Sequence, residues 1–526
     1  MTKIELYDTT LRDGAQSEGI SFSVSDKLKI CEKLDELGVN FIEGGWPGAN
    51  PKDMSFFKAV RSLRLKKAKI VAFGSTRHPK SKVSRDKVLK GLLGAGTKFI
   101  TIFGKSWDLH VRDVFKVDLD ENLRMIEDSV KFLRSKGKTV FYDAEHFFDG
   151  YKANKDYALK TLKAAQSAGA DRIILCDTNG GTITSQVFEI VEEVRSVIKT
   201  PLGIHAHNDC GMAVANTIAA VQAGSIHVQG TMNGYGERCG NADLVSVIAN
   251  LKLKLGVPCV SDLEIRELTE IARYVAEVCN VKLEDNEPFV GTSAFAHKAG
   301  VHVNAILKNP RTYEHVDPAT VGNRRRLLIS ELSGKSTIIK KAEDMDIDLG
   351  KDAKKTKKIL KTLQDLEHKG YHFESAEASL ELLIKRIMKK FKDFFDLENF
   401  RVIIEKTKTG SMTSEATIKL KVGKELEHTA SLGDGPVNAL DSALRKALTK
   451  FYPNIAEMHL VDYKVRVLDE KEGTAAKVRV LVQSQDTRDS WWTMGVSENI
   501  IDASWQALVD SVEYKLLKDS KRRIAP

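Results

Sequence analysis

A chain of 526 residues, 42% hydrophobic and 29% charged with a net charge of +9, can bury a full core without disulfide support, which excludes disordered and fibrous classes. The mild basicity reads as a solvated surface or as attraction for an anionic, phosphate-bearing small molecule; no basic run is interleaved with aromatics, so no nucleic-acid partner is expected. No apolar run approaches the roughly 18 residues that span a membrane, no basic-then-apolar signal peptide is read at the start, and six scattered cysteines without a C-x-x-C pair suit reduced thiols, so a cytoplasmic protein is expected.

The first half of the chain reads as a repeat. Leu37-Gly38-Val39-Asn40-Phe41-Ile42 is echoed by Ala95-Gly96-Thr97-Lys98-Phe99-Ile100, by Ala168-Gly169-Ala170-Asp171-Arg172-Ile173 and by Ala223-Gly224-Ser225-Ile226-His227-Val228. Each is a helix end closed by glycine and followed by a strand. Glycines 38 and 96 lie 58 apart, and 169 and 224 lie 55 apart. Half of either interval, roughly 28 residues, is one strand-plus-helix unit.

Short strands are expected at 4–8, 40–44, 69–73, 99–103, 139–145, 172–177, 202–207 and 226–231. They are apolar almost throughout, as strands buried on both faces are. Helical patterns separate them, such as Leu123, Ile126, Val130 and Leu133 before Gly137. Eight such units predict an α/β chain with a (β/α)8 TIM barrel over residues 1–270. A doubly wound open sheet is the alternative, but no G-x-G-x-x-G follows the first strand. Residues 271–395 read as helical linker subdomains. From 396 to 526 the pattern alternates (Ile418, Leu420, Val422; Val478, Val480, Val482), with helices from Val437 to Phe451 and from Glu498 to Leu517. That predicts a C-terminal α+β domain made of two copies of three strands and a helix.

In such a barrel the site lies at the C-terminal ends of the strands, and the polar residues gather there. Asp8, Thr9, Arg12 and Asp13 follow the first strand, and Glu43 ends the second. Glu145 ends the fifth, and Asp177-Thr178 the sixth. His205 to Asp209 end the seventh, and Asn233 to Asn241 follow the eighth. His205 and His207 are two apart, so a strand puts both on one face, where they can share a metal ion. Asp13, from the first strand taken as adjoining the seventh, supplies a carboxylate, and Asn241 an amide oxygen. Two imidazoles and one carboxylate leave positions open for substrate. Arg12 carries a fixed fork of donors suited to a developing oxyanion. Glu145 is a base, a positioning group, or a partner for Arg12 or a histidine.

Leu11-Arg12-Asp13-Gly14-Ala15-Gln16 with Lys27 forms one motif. Leu202, His205, His207, Asn208, Asp209, Gly211, Ala213 and Ala215 form a second, and Gly236-Glu237-Arg238-Cys239-Gly240-Asn241 a third. In these the sequence resembles the isopropylmalate, homocitrate and citramalate synthase family over essentially its whole length. Three loops (Glu43 to Gly48, Asp143 to Phe148, Asn233 to Gly236) look closest to the citramalate-forming branch, with Trp46 narrowing the pocket toward pyruvate.

The resemblance implies a homodimer that condenses acetyl-CoA with a 2-oxo acid on a divalent metal (Mg, Mn, Zn or Co) held by Asp13, His205, His207 and Asn241. It implies that Arg12 steadies the enolate and that Arg12, Thr178, Glu43 and Trp46 contact the oxo acid. It further implies that Asn233, Gly234, Gly236 and Arg238 bind acetyl-CoA. His302 and Tyr313 from the neighbouring subunit's linker would complete the catalytic set, with Glu145 and His302 competing as base. The C-terminal module would sense an amino acid, isoleucine if citramalate is the product, through Asp434, Gly435 and Ser497, with Ser497 capping the last helix. Rival readings are a carbon–carbon lyase, an iron oxygenase and a sensor with a dead barrel. The long C-terminal part argues against the first, and the intact Arg12, Asp13, His205 and His207 against the last.

Overall fold

A computed structural model describes residues 3–48, 51–328, 335–345, 347, 353–406, 408, 410–468 and 476–524. The chain divides into two compact units, one of residues 1–295 with 315–325, the other of 296–314 with 326–526.

The first unit is a closed barrel of eight parallel strands in sequential order. These are β1 (Glu5–Asp8), β2 (Phe41–Glu43), β3 (Lys69–Ser75), β4 (Phe99–Lys105), β5 (Thr139–Glu145), β6 (Arg172–Asp177), β7 (Leu202–Ala206) and β8 (His227–Gly230). β8 closes on β1 with Tyr7 opposite Gln229. Local chemistry sets the helices between them. Val24–Leu37 starts at a capping box, with Ser23 and Asp26 satisfying each other's backbone N–H groups, and stops at left-handed Gly38. The repeat glycines 96, 169 and 224 close their helices with positive φ in the same way.

The barrel lumen is filled in layers. Tyr7, Phe41, Val71, Phe141, Ile174 and Cys176 form its dry floor, with Phe41 and Phe141 meeting edge to face at 5.1 Å. Truncating such a ring to alanine costs about 3–5 kcal/mol. Below it, Arg172 binds Glu5 through two nitrogens. Above it the lining turns polar, and the site begins there.

In the second unit, helices Gly300–Lys308, Lys335–Asp344, Ala353–His368 and Glu377–Ile387 precede the two expected copies. The first copy pairs Asp396–Lys406, Met412–Val422 and Glu425–Gly433 antiparallel under helix Pro436–Thr449. The second pairs His459–Val467, Val478–Gln485 and Ser490–Ser497 under helix Ile500–Ile524. Ala416, Ile418 and Leu420 alternate inward and join Leu440, Leu444, Val480, Val482 and Leu508 in one core. Among the described residues no helix is long and apolar enough to cross a membrane.

Candidate active site

The loop after β1 is a tight coil. The N–H groups of Arg12, Asp13 and Gly14 all donate to Thr9 O, and Thr9 N donates to Gly230 O of β8 at 2.8 Å. Thr10 Oγ1 donates to Asp8 and accepts from Met232 N, which ties the coil to the loop after β8. The coil aims Arg12 and Asp13 into the mouth of the barrel. Asp13 does not come from a strand adjoining β7, as expected, because β8 stands between β1 and β7. The fold-back of the coil lets Asp13 reach past it.

Arg12 is clamped from three sides. Its Nε donates to Glu43 Oε1 at 2.5 Å, an Nη donates to Asp13 Oδ1, and its guanidinium carbon lies 3.8 Å from the centroid of the Phe73 ring. Burial works against the charge of Arg12, but Asp13 and Glu43 outweigh it and hold the guanidinium above its ordinary pKa. Burial likewise works against the Asp13 carboxylate, and the Arg12 charge overcomes it, so its pKa is lowered. Glu43 is held higher than usual by burial, with Tyr7 donating to its Oε2 at 2.5 Å.

His205 and His207 stand on one face, their Nε2 atoms 3.3 Å apart. His205 Nε2 is 3.6 Å from Asp13 Oδ2 and 3.2 Å from Asn241 Nδ2. Burial pushes both imidazoles down, His207 to about 3, so both are neutral with free lone pairs. Nitrogens about 2.0–2.1 Å from a shared ion lie at just such a spacing. The Asn241 amide oxygen is buried without a hydrogen-bond partner, and a half-turn of the amide would aim it at Asp13 and His205. Among the described residues no three His, Cys, Asp or Glu side chains form a ready metal cluster, and Arg12 lies on one oxygen of Asp13. Two neutral imidazoles, one acceptor-only carboxylate and an orphaned amide oxygen nevertheless make a donor set that fits a divalent cation.

Trp46 meets Phe73 and Phe103 edge to face, at 5.9 and 5.7 Å, and those two rings stack on each other. The wall they form carries Arg12 on Phe73. Lys27, noted in the sequence motif, fixes the loop before it. Its Nζ donates to Gly44 O and to Asp53, whose other oxygen accepts Trp46 N.

Glu145 pairs with Lys105, its direct partner across β4 and β5, and not with Arg12 or a histidine. Thr178 Oγ1 accepts His146 N at 2.8 Å. The groups expected to bind acetyl-CoA are engaged in holding their own loop. Asn233 donates to Ala272 O, Gly236 N donates to Ser17 Oγ, and Arg238 grips Asp209 with two nitrogens. A Cβ at Gly236 would overlap the Asn241 amide oxygen.

In the second unit the His302 and Tyr313 rings stack at 4.1 Å. Gly435 is the N-cap of helix Pro436–Thr449 and has no side chain to satisfy the free N–H groups there, while Asp434 N donates to Asn438. Ser497 does not cap the last helix. Asn499 Oδ1 accepts from Ile501 N and Asp502 N, and Ser497 only accepts Asn499 N, because the helix begins three residues beyond it. Sequence reasoning missed Asp143, Gln229, Tyr7, Phe73 and Lys105. The alternation of Asp143 with Glu145 on β5 was the available signal for one of them.

Three family profiles tile the chain: HMGL-like at residues 3–275, homocitrate synthase post-HMGL domain-like at 289–370, and LeuA allosteric (dimerisation) domain at 374–516. An (R)-citramalate synthase of Aquifex aeolicus is 53% identical over 99% of both chains. One of Geobacter sulfurreducens is 55% identical, again over 99% of each. A 2-isopropylmalate synthase of Methanocaldococcus jannaschii is 32% identical over 99% of this chain and 96% of its own.

Proposed function

The chain belongs to the (R)-citramalate synthases of the HMGL-like family, and from that premise we infer that it condenses acetyl-CoA with pyruvate and hydrolyses the thioester to give (R)-citramalate and CoA. The observation that carries this reading is one buried cluster: Arg12 clamped by Asp13 and Glu43 beside two neutral imidazoles whose Nε2 atoms face each other at 3.3 Å.

Asp13, His205, His207 and Asn241 would hold a divalent cation, which when bound supplies Lewis acidity toward a keto oxygen. The chain's own residues do the rest. One of two candidate bases, Glu145 at the end of β5 or His302 of the partner subunit, takes a proton from the acetyl methyl group. Arg12 steadies the resulting enolate oxygen with its fork of donors. The enolate carbon attacks the keto carbon, whose oxygen takes up a proton to become the tertiary hydroxyl. Water then cleaves the thioester, releasing the CoA thiol and making the sequence irreversible. Thr178 keeps a hydroxyl proton free for the oxo-acid carboxylate. His302 and Tyr313, stacked as a pair, complete the catalytic set of the partner subunit in this reading.

The aromatic wall supports pyruvate over larger oxo acids. A panel of 2-oxo acids with acetyl-CoA, followed by a thiol reagent, is expected to show a clear preference for pyruvate over 2-oxoisovalerate and 2-oxoglutarate. Equal rates would remove pyruvate from the proposal. Trp46→Ala is expected to raise kcat/KM for 2-oxoisovalerate relative to pyruvate by about 10–100-fold, the worth of one or two methylenes in a pocket. An unchanged ratio would take Trp46 out of the specificity wall.

The LeuA allosteric (dimerisation) profile supports a homodimer, and the reading extends to feedback by isoleucine in a cytoplasmic biosynthetic pathway. The free N–H groups after Gly435 suit an amino-acid carboxylate. Isoleucine is expected to lower turnover where leucine does not. Asp434→Ala is expected to raise the isoleucine concentration needed by about tenfold, within the usual range of allosteric coupling. Inhibition by leucine alone would redirect the assignment to the isopropylmalate branch.

A further inference from the structure

Gln229 plays no part in that account, yet it is fully buried beside the site. It stands on β8 directly opposite His205 of β7. Its Oε1 lies 2.9 Å from His205 Nδ1, and its Nε2 donates to Asp143 Oδ1 of β5 at 3.2 Å. His207 has no such support, since its Nδ1 is buried without a partner.

We propose that Gln229, locked by Asp143, is a positioning residue that holds His205 in the tautomer able to bind a cation. The proposal rests on the reading that His205 is a metal ligand. An imidazole has one proton to place. With the amide oxygen at Nδ1, that proton sits on Nδ1 and the Nε2 lone pair points at His207 and Asp13. With the amide turned half round, its NH2 would donate to Nδ1, the proton would move to Nε2, and the nitrogen facing the site could not ligate. Asp143 forbids that turn, because it would set the amide oxygen against a carboxyl oxygen. The lock requires Oδ1 to be an acceptor, so any proton that burial holds on Asp143 sits on Oδ2. Both supports stand on barrel strands, which fixes the ring plane as well as the tautomer.

The test is Mn(II) binding to the full-length, metal-stripped chain, read from the free Mn(II) EPR signal, with the metal-free melting temperature recorded for every variant. Gln229→Met and Asp143→Leu are each expected to weaken Mn(II) binding by about 10–100-fold. The exchange Asp143→Asn with Gln229→Glu keeps one donor and one acceptor along the same line and is expected to recover most of that affinity. Should either single variant fail to fold, the exchange decides: binding as weak as that of a lost support overturns the proposal. His205→Ala separates the two claims. If it abolishes binding while Gln229→Met binds like the parent, the positioning role is overturned and the cation site stands. If His205→Ala itself binds like the parent, the cation reading fails and the proposal with it.

Discussion

Exchanging Arg12 for lysine is expected to lower kcat by about 10²–10³-fold, a loss of about 2.7–4 kcal/mol in transition-state stabilisation. Lysine keeps the charge that balances Asp13 and Glu43, so the buried carboxylates are not left unpaired and the fold is preserved. What it loses is the planar fork. One nitrogen can no longer lie against Glu43 Oε1 while another reaches Asp13 and the plane rests on Phe73. The donor directed at the developing enolate would then be free to wander. Steady-state rates of CoA release give the result, and a kcat within fivefold of the parent would strip Arg12 of its assigned role.

Asp13→Asn should be harsher. The substitution is nearly isosteric and keeps the coil that Asp13 N closes onto Thr9. It removes the carboxylate placed against His205 Nε2 and replaces an acceptor-only group with one that is half donor. Lewis acidity is worth several kcal/mol in reactions of this class, so kcat/KM is expected to fall by about 10³-fold or more. Mn(II) affinity should fall with it, while the metal-free melting temperature stays close to the parent value. Full turnover in this variant would mean that the cation is held elsewhere.

The barrel was legible because its rules are local. A glycine at 38, 96, 169 or 224 announces a helix end whatever surrounds it, and a strand buried on both faces must be apolar along its length. The H-x-H pair was legible for the same reason, since a period of two fixes a face. Relations between distant strands were not legible. That β8 intervenes between His205 and Asp13 follows from barrel closure, which makes the first and last strands neighbours. Counting strands would have exposed it. The Lys105–Glu145 pair was recoverable in principle, because both residues end consecutive parallel strands in matching register. The contact between Gln229 and Asp143 was not. Asp143 stands across the lumen on β5, 86 residues from Gln229 in sequence, and a buried polar residue in an apolar strand carries no mark of what it faces. Ser497 was misread as a cap because two cap-forming residues, Ser497 and Asn499, lie two positions apart, and only the helix start distinguishes them.

The bare Cα of Gly236 has a practical meaning for anyone reshaping this catalyst. The space a methyl would occupy there already belongs to the Asn241 carboxamide, so even the smallest side chain evicts a group next to the reaction centre. Libraries aimed at new acyl donors or acceptors should therefore hold position 236 fixed and draw their diversity from the aromatic wall, where Trp46 after β2 and Phe103 of β4 meet edge to face.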